Sequence, residues 1–184
     1  YKVYNGNLLY HGCVPLKEDG NLKSVRIFGH TYKGKGLYEV LESYVRKGFY
    51  AMDSKEKERG KDIMWYIWLS ENSPLFGKDK MATFERYFLA EKETHKEKKN
   101  PYYLLLEDEK VICHILKEFG LENEDAHIIN GHVPVKCKDG EKPIKCGGKV
   151  LVIDGGFSRA YQKETGIAGY TLIYNSYGLI LAAH

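Results

Sequence analysis

Apolar residues recur with helical spacing only in the middle of this chain, and both ends read as strands. Leu37, Val40, Leu41, Tyr44 and Val45 mark an amphipathic helix over residues 36 to about 48. Asp53 and Glu56 have the spacing of a capping box and predict a second helix running through "KDIMWYIWLS". Ile112, Ile115, Leu116 and Phe119 form another helical stripe that Gly120 stops, and His114 within it reads as structural or exposed. Before residue 30, "NLLY" and "SVRIFG" read as short strands. After residue 125, "AHIING", "KVLVID" and the two arms of "AGYTLIYNSYGLILAAH" do the same. A hairpin is expected around Lys138-Asp139-Gly140 and a second around Asn175 to Gly178. The order is strands, helices, strands, without regular βα alternation. The expected fold is therefore α/β of the α+β kind: a β scaffold from residues 1–30 and 126–184, carrying a helical insertion over 31–125.

With 184 residues, 43% of them hydrophobic, the chain can bury a core. No apolar run approaches the roughly 20 residues needed to span a bilayer, so no membrane partner is expected. A net charge of +3 is too balanced to argue for nucleic acid. Cys13, Cys113, Cys137 and Cys146 show no C-x-x-C spacing; Cys137 and Cys146 flank an expected hairpin turn and either lie close across strands or read as two free thiols of a reducing cytoplasm. A zinc site of Cys13, Cys137, Cys146 and a histidine is a remote alternative. The first residues already read as strand without a preceding methionine, which suggests a piece of a longer polypeptide.

Two stretches share a form. "NLLYHGCVP" and "HIINGHVPV" each place a histidine beside a glycine at a strand end, with Val-Pro just after. Such a position is rigid, and an imidazole there can project from the scaffold edge. His11 and His132 could together help bind a divalent transition metal, or each could be an ordinary turn residue. In "VIDGGFSRAYQ", Asp154 suits a turn cap, whereas the guanidinium of Arg159 suits phosphate. Lys136 and Lys145 flank this region as phosphate contacts or as surface charge. Phosphate-loop, dinucleotide, H-E-x-x-H and G-x-S-x-G patterns are all absent.

"NGHVPVK", "KPIK", "VIDGGFSRAYQ" and "TGIAGYTLIYNSYG", with "NLLYHGCVPL", resemble the class III fructose-1,6-bisphosphatases of Firmicutes. The resemblance implies a branch of the calcineurin-like metallophosphoesterases: a β-sandwich flanked by helices, with a dinuclear manganese centre at the strand ends. It implies that His11 and His132 are metal ligands sharing one ion, and that a phosphorylated sugar is the substrate. Arg159 and Lys136 would then balance phosphate charge. The superfamily's D-x-H, G-D-x-x-D-R-G and G-N-H-[DE] motifs do not occur in these 184 residues. The remaining ligands and the general acid are accordingly expected upstream. The segment by itself is expected to be inactive and to pair with that missing part or with another copy. The alternative is a non-catalytic regulatory or interaction segment.

Overall fold

A computed structural model describes all residues, 1–184. Along the chain come β1 (Lys2–Tyr4), β2 (Asn7–Leu9), β3 (Val25–Ile27), β4 (His30–Tyr32), α1 (Gly34–Tyr50), α2 (Ser54–Leu69) and α3 (Thr83–Phe88). Then follow α4 (Glu109–Glu118), β5 (Ile128–Asn130), β6 (Ile144–Lys145), β7 (Val150–Val152), α5 (Arg159–Thr165), β8 (Tyr170–Asn175) and β9 (Gly178–Ala183). The fold is mixed α/β, as the sequence pattern predicts. It separates into two compact units: residues 1–12 with 106–184, and residues 13–105. The sequence pattern placed the divisions near 30 and 126 instead. β3 and β4 go with the helices because Val25 and Ile27 share a core with Leu37 and Leu41 of α1 and Ile63 of α2.

In the helical unit, α1 and α2 form a hairpin. Asp53 caps α2, its carboxylate accepting from the Lys55 and Glu56 N–H groups at 2.9 and 3.3 Å. Only this half of the expected box forms, because the Glu56 side chain does not return to Asp53. Asp53→Ala should therefore cost about 1 kcal/mol, read as a lower urea midpoint of this unit. The two helices touch at Gly48 and Gly60. A β-carbon on Gly48 would lie 2.6 Å from the Gly60 α-carbon. Beside this contact lies a groove of about 710 Å³, lined by the two glycines together with Val45, Phe49, Met64, Trp65 and Trp68. Trp65 is 67% and Trp68 63% exposed there.

The second unit is built on a five-stranded sheet in the order β1-β2-β5-β7-β6. Its three central strands run parallel, with Leu8 opposite Ile128, and Ile128 opposite Val150. All three of these residues are fully buried, as parallel strands covered on both faces require. β1 and β6 close the edges antiparallel. α4 packs Val111, Ile112, Ile115 and Leu116 inward. It ends in a Schellman turn: Gly120 has φ +82°, Leu121 N–H donates to the Leu116 carbonyl, and Gly120 N–H donates to that of Lys117. His114 on this helix is exposed.

One expected hairpin moves. Residues 137–139 form a single 3-10 turn that Gly140 ends, rather than the tip of a hairpin. The reversal instead joins β6 to β7 through Cys146, Gly147 and Gly148, which have φ of +50°, +60° and +107°. Two successive glycines make that left-handed path accessible, whereas the prolines at 134 and 143 discourage a long first arm. The terminal hairpin forms as expected: β8 and β9 pair from Tyr170–Ala183 to Asn175–Gly178 across a two-residue loop.

Candidate functional site

The carboxyl ends of the three parallel strands are the place where an α/β sheet offers side chains to a ligand. β2 leads through Tyr10 to His11, β5 through Gly131 to His132, and β7 through Ile153 to Asp154. The backbone ties these exits together. Gly131 N–H donates to the His11 carbonyl at 3.0 Å, Ile153 N–H to the Asn130 carbonyl at 2.9 Å, and Val135 N–H to the Asp154 carbonyl at 2.8 Å.

Residues 121 positions apart thus meet. Nε2 of His11 and Nδ1 of His132 lie 3.0 Å apart, with ring centroids at 4.9 Å and planes at 70°. His132 has φ +67°, and Val133 N–H donates to the Gly131 carbonyl at 2.8 Å, closing a three-residue turn with the histidine at its centre. A left-handed non-glycine residue is uncommon and persists only where neighbours hold it. Here the hydrogen bonds of Gly131, Val133 and Val135 do so.

Two nitrogens each about 2.1 Å from one ion, at a right angle to each other, lie about 3 Å apart. The pair therefore suits adjacent positions around a single transition metal, and neutral imidazole is a good donor for it. No group of three or more His, Cys, Asp or Glu side chains is placed to hold a metal. The cysteine zinc site does not form. The Cys13 thiol is fully buried, and burial pushes it up to about 12 although Tyr103 opposes the shift. The Cys137 thiol lies 3.0 Å from the Tyr170 hydroxyl. All four cysteines are free.

Asp154 does what a turn residue does: its Oδ1 accepts from Gly156 N–H at 2.8 Å. Its carboxylate also lies against Gly131, where an added β-carbon would meet Oδ2 at 3.8 Å. Lys136 and Arg159 are both exposed, and neither bonds to the imidazoles. Lys136 Nζ sits 3.9 Å from Asp139 in its own turn. Arg159 opens α5 without an ion pair. Sequence reasoning missed Asn130, which is 2% exposed and donates from Nδ2 to the Gly12 carbonyl at 3.2 Å. The available signal was a lone amide ending the run Ile128-Ile129, where a strand buried on both faces calls for apolar residues.

The family model for Firmicute fructose-1,6-bisphosphatase matches residues 1–184, and the chain belongs to that family. It is 60% identical over 185 residues to the protein named fructose-1,6-bisphosphatase class 3 in Clostridium botulinum strain Hall, and 60% identical to the one in Clostridium acetobutylicum. In each case the whole chain is matched but only 28% of the relative's length is spanned. No solved structure matches. No helix is long and apolar enough to cross a membrane.

Proposed function

We propose that this chain is the strand-end segment of a cytoplasmic, manganese-dependent fructose-1,6-bisphosphatase with a metallophosphoesterase site. The full-length protein would hydrolyse the substrate to fructose 6-phosphate and phosphate. The meeting of His11 and His132 on neighbouring parallel strands carries the metal reading. The family carries the sugar. Four free thiols fit a reducing compartment.

In this reading His11 and His132 hold one ion of a dinuclear manganese pair through ring nitrogens already at ligand spacing. When bound, such a pair supplies a Lewis acid for the phosphate and a water acidic enough to attack it. Arg159, with no ion pair of its own, has its guanidinium fork free for a phosphate oxygen. Lys136 is the weaker candidate, since Asp139 already offsets its charge. Further ligands and the general acid belong to polypeptide outside these 184 residues, so the segment alone would not turn over substrate. That same polypeptide is the proposed cover for the apolar groove between α1 and α2. The basis is that the relatives are more than three times as long, and that Lys57 and Lys61 line the groove without an acidic neighbour among its lining residues.

The test is phosphate release from fructose 1,6-bisphosphate by the full-length protein. Activity should vanish with a chelator and return with manganese. Activity that survives exhaustive metal removal would overturn the reading. Trp65→Glu, followed by light scattering, addresses the groove. Local exposure of the helical unit without a change in mass is expected, and dissociation of a dimer would assign the groove to a second copy.

A further inference from the structure

Asn130 is the one buried polar side chain at these strand ends that the proposed chemistry leaves unused. It is 2% exposed, and its neighbours Ile128 and Ile129 are buried as well. Its amide has two ends with different fates. Nδ2 donates to the carbonyl of Gly12, the residue immediately after His11. Oδ1 is buried and has no hydrogen-bond partner. Turning the amide over would set its oxygen against the Gly12 carbonyl oxygen, so the orientation follows from the contact. A buried acceptor without a donor is unfavourable, and an apolar residue of the same shape would avoid it. The asparagine is therefore poorly explained as a contribution to stability.

Its position explains it better. Asn130 lies two residues before His132 on β5, and its side chain crosses to the exit of β2 just past His11. Its side chain joins the two histidine-bearing exits directly, beside the backbone bonds from Tyr10 N–H to the Ile129 carbonyl and from Gly131 N–H to the His11 carbonyl, and beside the contact between the two rings. We infer that Asn130 is a positioning residue: its Nδ2–H clamps the Gly12 carbonyl and thereby sets the spacing of the His11 and His132 rings. This deepens the reading of the pair as metal ligands, and it makes a claim about ring geometry that holds without metal.

Two variants of the full-length protein test it. Asn130→Leu keeps the shape and removes both ends of the amide. Asn130→Asp keeps the shape and places an oxygen against the Gly12 carbonyl. In metal-free protein with isotope-labelled histidine, the ring-nitrogen resonances of His11 and His132 report their shared hydrogen bond. Both variants should shift these resonances toward those of free imidazoles. Manganese affinity, followed by electron paramagnetic resonance, should fall about 10–100-fold. The thermal midpoint of Asn130→Leu should stay within a few degrees of the parent, because the orphaned oxygen is gone. Unshifted ring nitrogens in either folded variant overturn the proposal. So does a loss of ring coupling only in proportion to a loss of fold, since that assigns Asn130 a purely structural role. If the parent binds no manganese, the metal reading fails, while the ring resonances still decide the role of Asn130.

Discussion

His132→Ala in the full-length protein should lower manganese-dependent phosphate release by at least about 100-fold, with a matching loss of bound metal. The substitution removes one of only two ring nitrogens that meet at the strand ends, and no third side chain stands by to replace it. It also puts a β-carbon-bearing residue with no polar side chain at φ +67°. That alone disturbs the three-residue turn, so the loss could be misread as damage to the loop. His132→Asn separates the two effects, because asparagine tolerates the left-handed region several-fold better than alanine. It should keep the parent's thermal midpoint and still lose most of the activity. His11→Ala, at an ordinary backbone position, should behave like His132→Asn. Full activity with unchanged metal content in any of the three would remove the histidine pair from the chemistry.

The second large effect concerns the helical unit. Gly48→Ala should destabilise the α1–α2 hairpin by about 2–3 kcal/mol. Helix propensity predicts the opposite sign, a gain of about 1 kcal/mol. The contact decides which wins. The new β-carbon would lie 2.6 Å from the Gly60 α-carbon and 3.2 Å from both the Glu56 carbonyl oxygen and the Gly60 nitrogen. All three are backbone atoms of a neighbouring helix, so relief requires the helices to separate. Gly60→Ala meets Gly48 at 2.7 Å and should cost as much. The double variant should cost less than the sum, because the helices separate once. Gly36→Ala is the internal control. It lies in the same helix with nothing within 4 Å, so propensity acts unopposed and the hairpin should gain up to about 1 kcal/mol. Hydrogen exchange of the α1 and α2 amides reads all four variants locally. A stabilised Gly48→Ala would show that the helices are not held at this contact.

The sequence by itself determined the elements whose physics is local. The stripe from Leu37 to Val45 buries Leu37 and Leu41 because a helix places residues four apart on one face. Gly120 ends α4 because only a residue free to take φ +82° closes that turn readily. The terminal hairpin is legible for the same reason, with turn formers between two β-rich arms. The likeness of "NLLYHG" to "HIINGH" was also visible, and it singled out both histidines as strand-end residues.

Tertiary structure alone decided what those residues meet. Parallel pairing of β2 with β5 joins segments 120 residues apart, and no local pattern encodes which strand becomes whose neighbour. That pairing places the His11 and His132 rings together, leaves Lys136 and Arg159 out of contact with them, and sends Asn130 across to Gly12. It also moved a reversal from Gly140 to Gly147, since β6 had to return along β7 from its edge. The physical reason is one of range. Backbone preferences act over a few residues, whereas the separation of two imidazoles is set by hydrogen bonds between strands that the sequence does not place side by side.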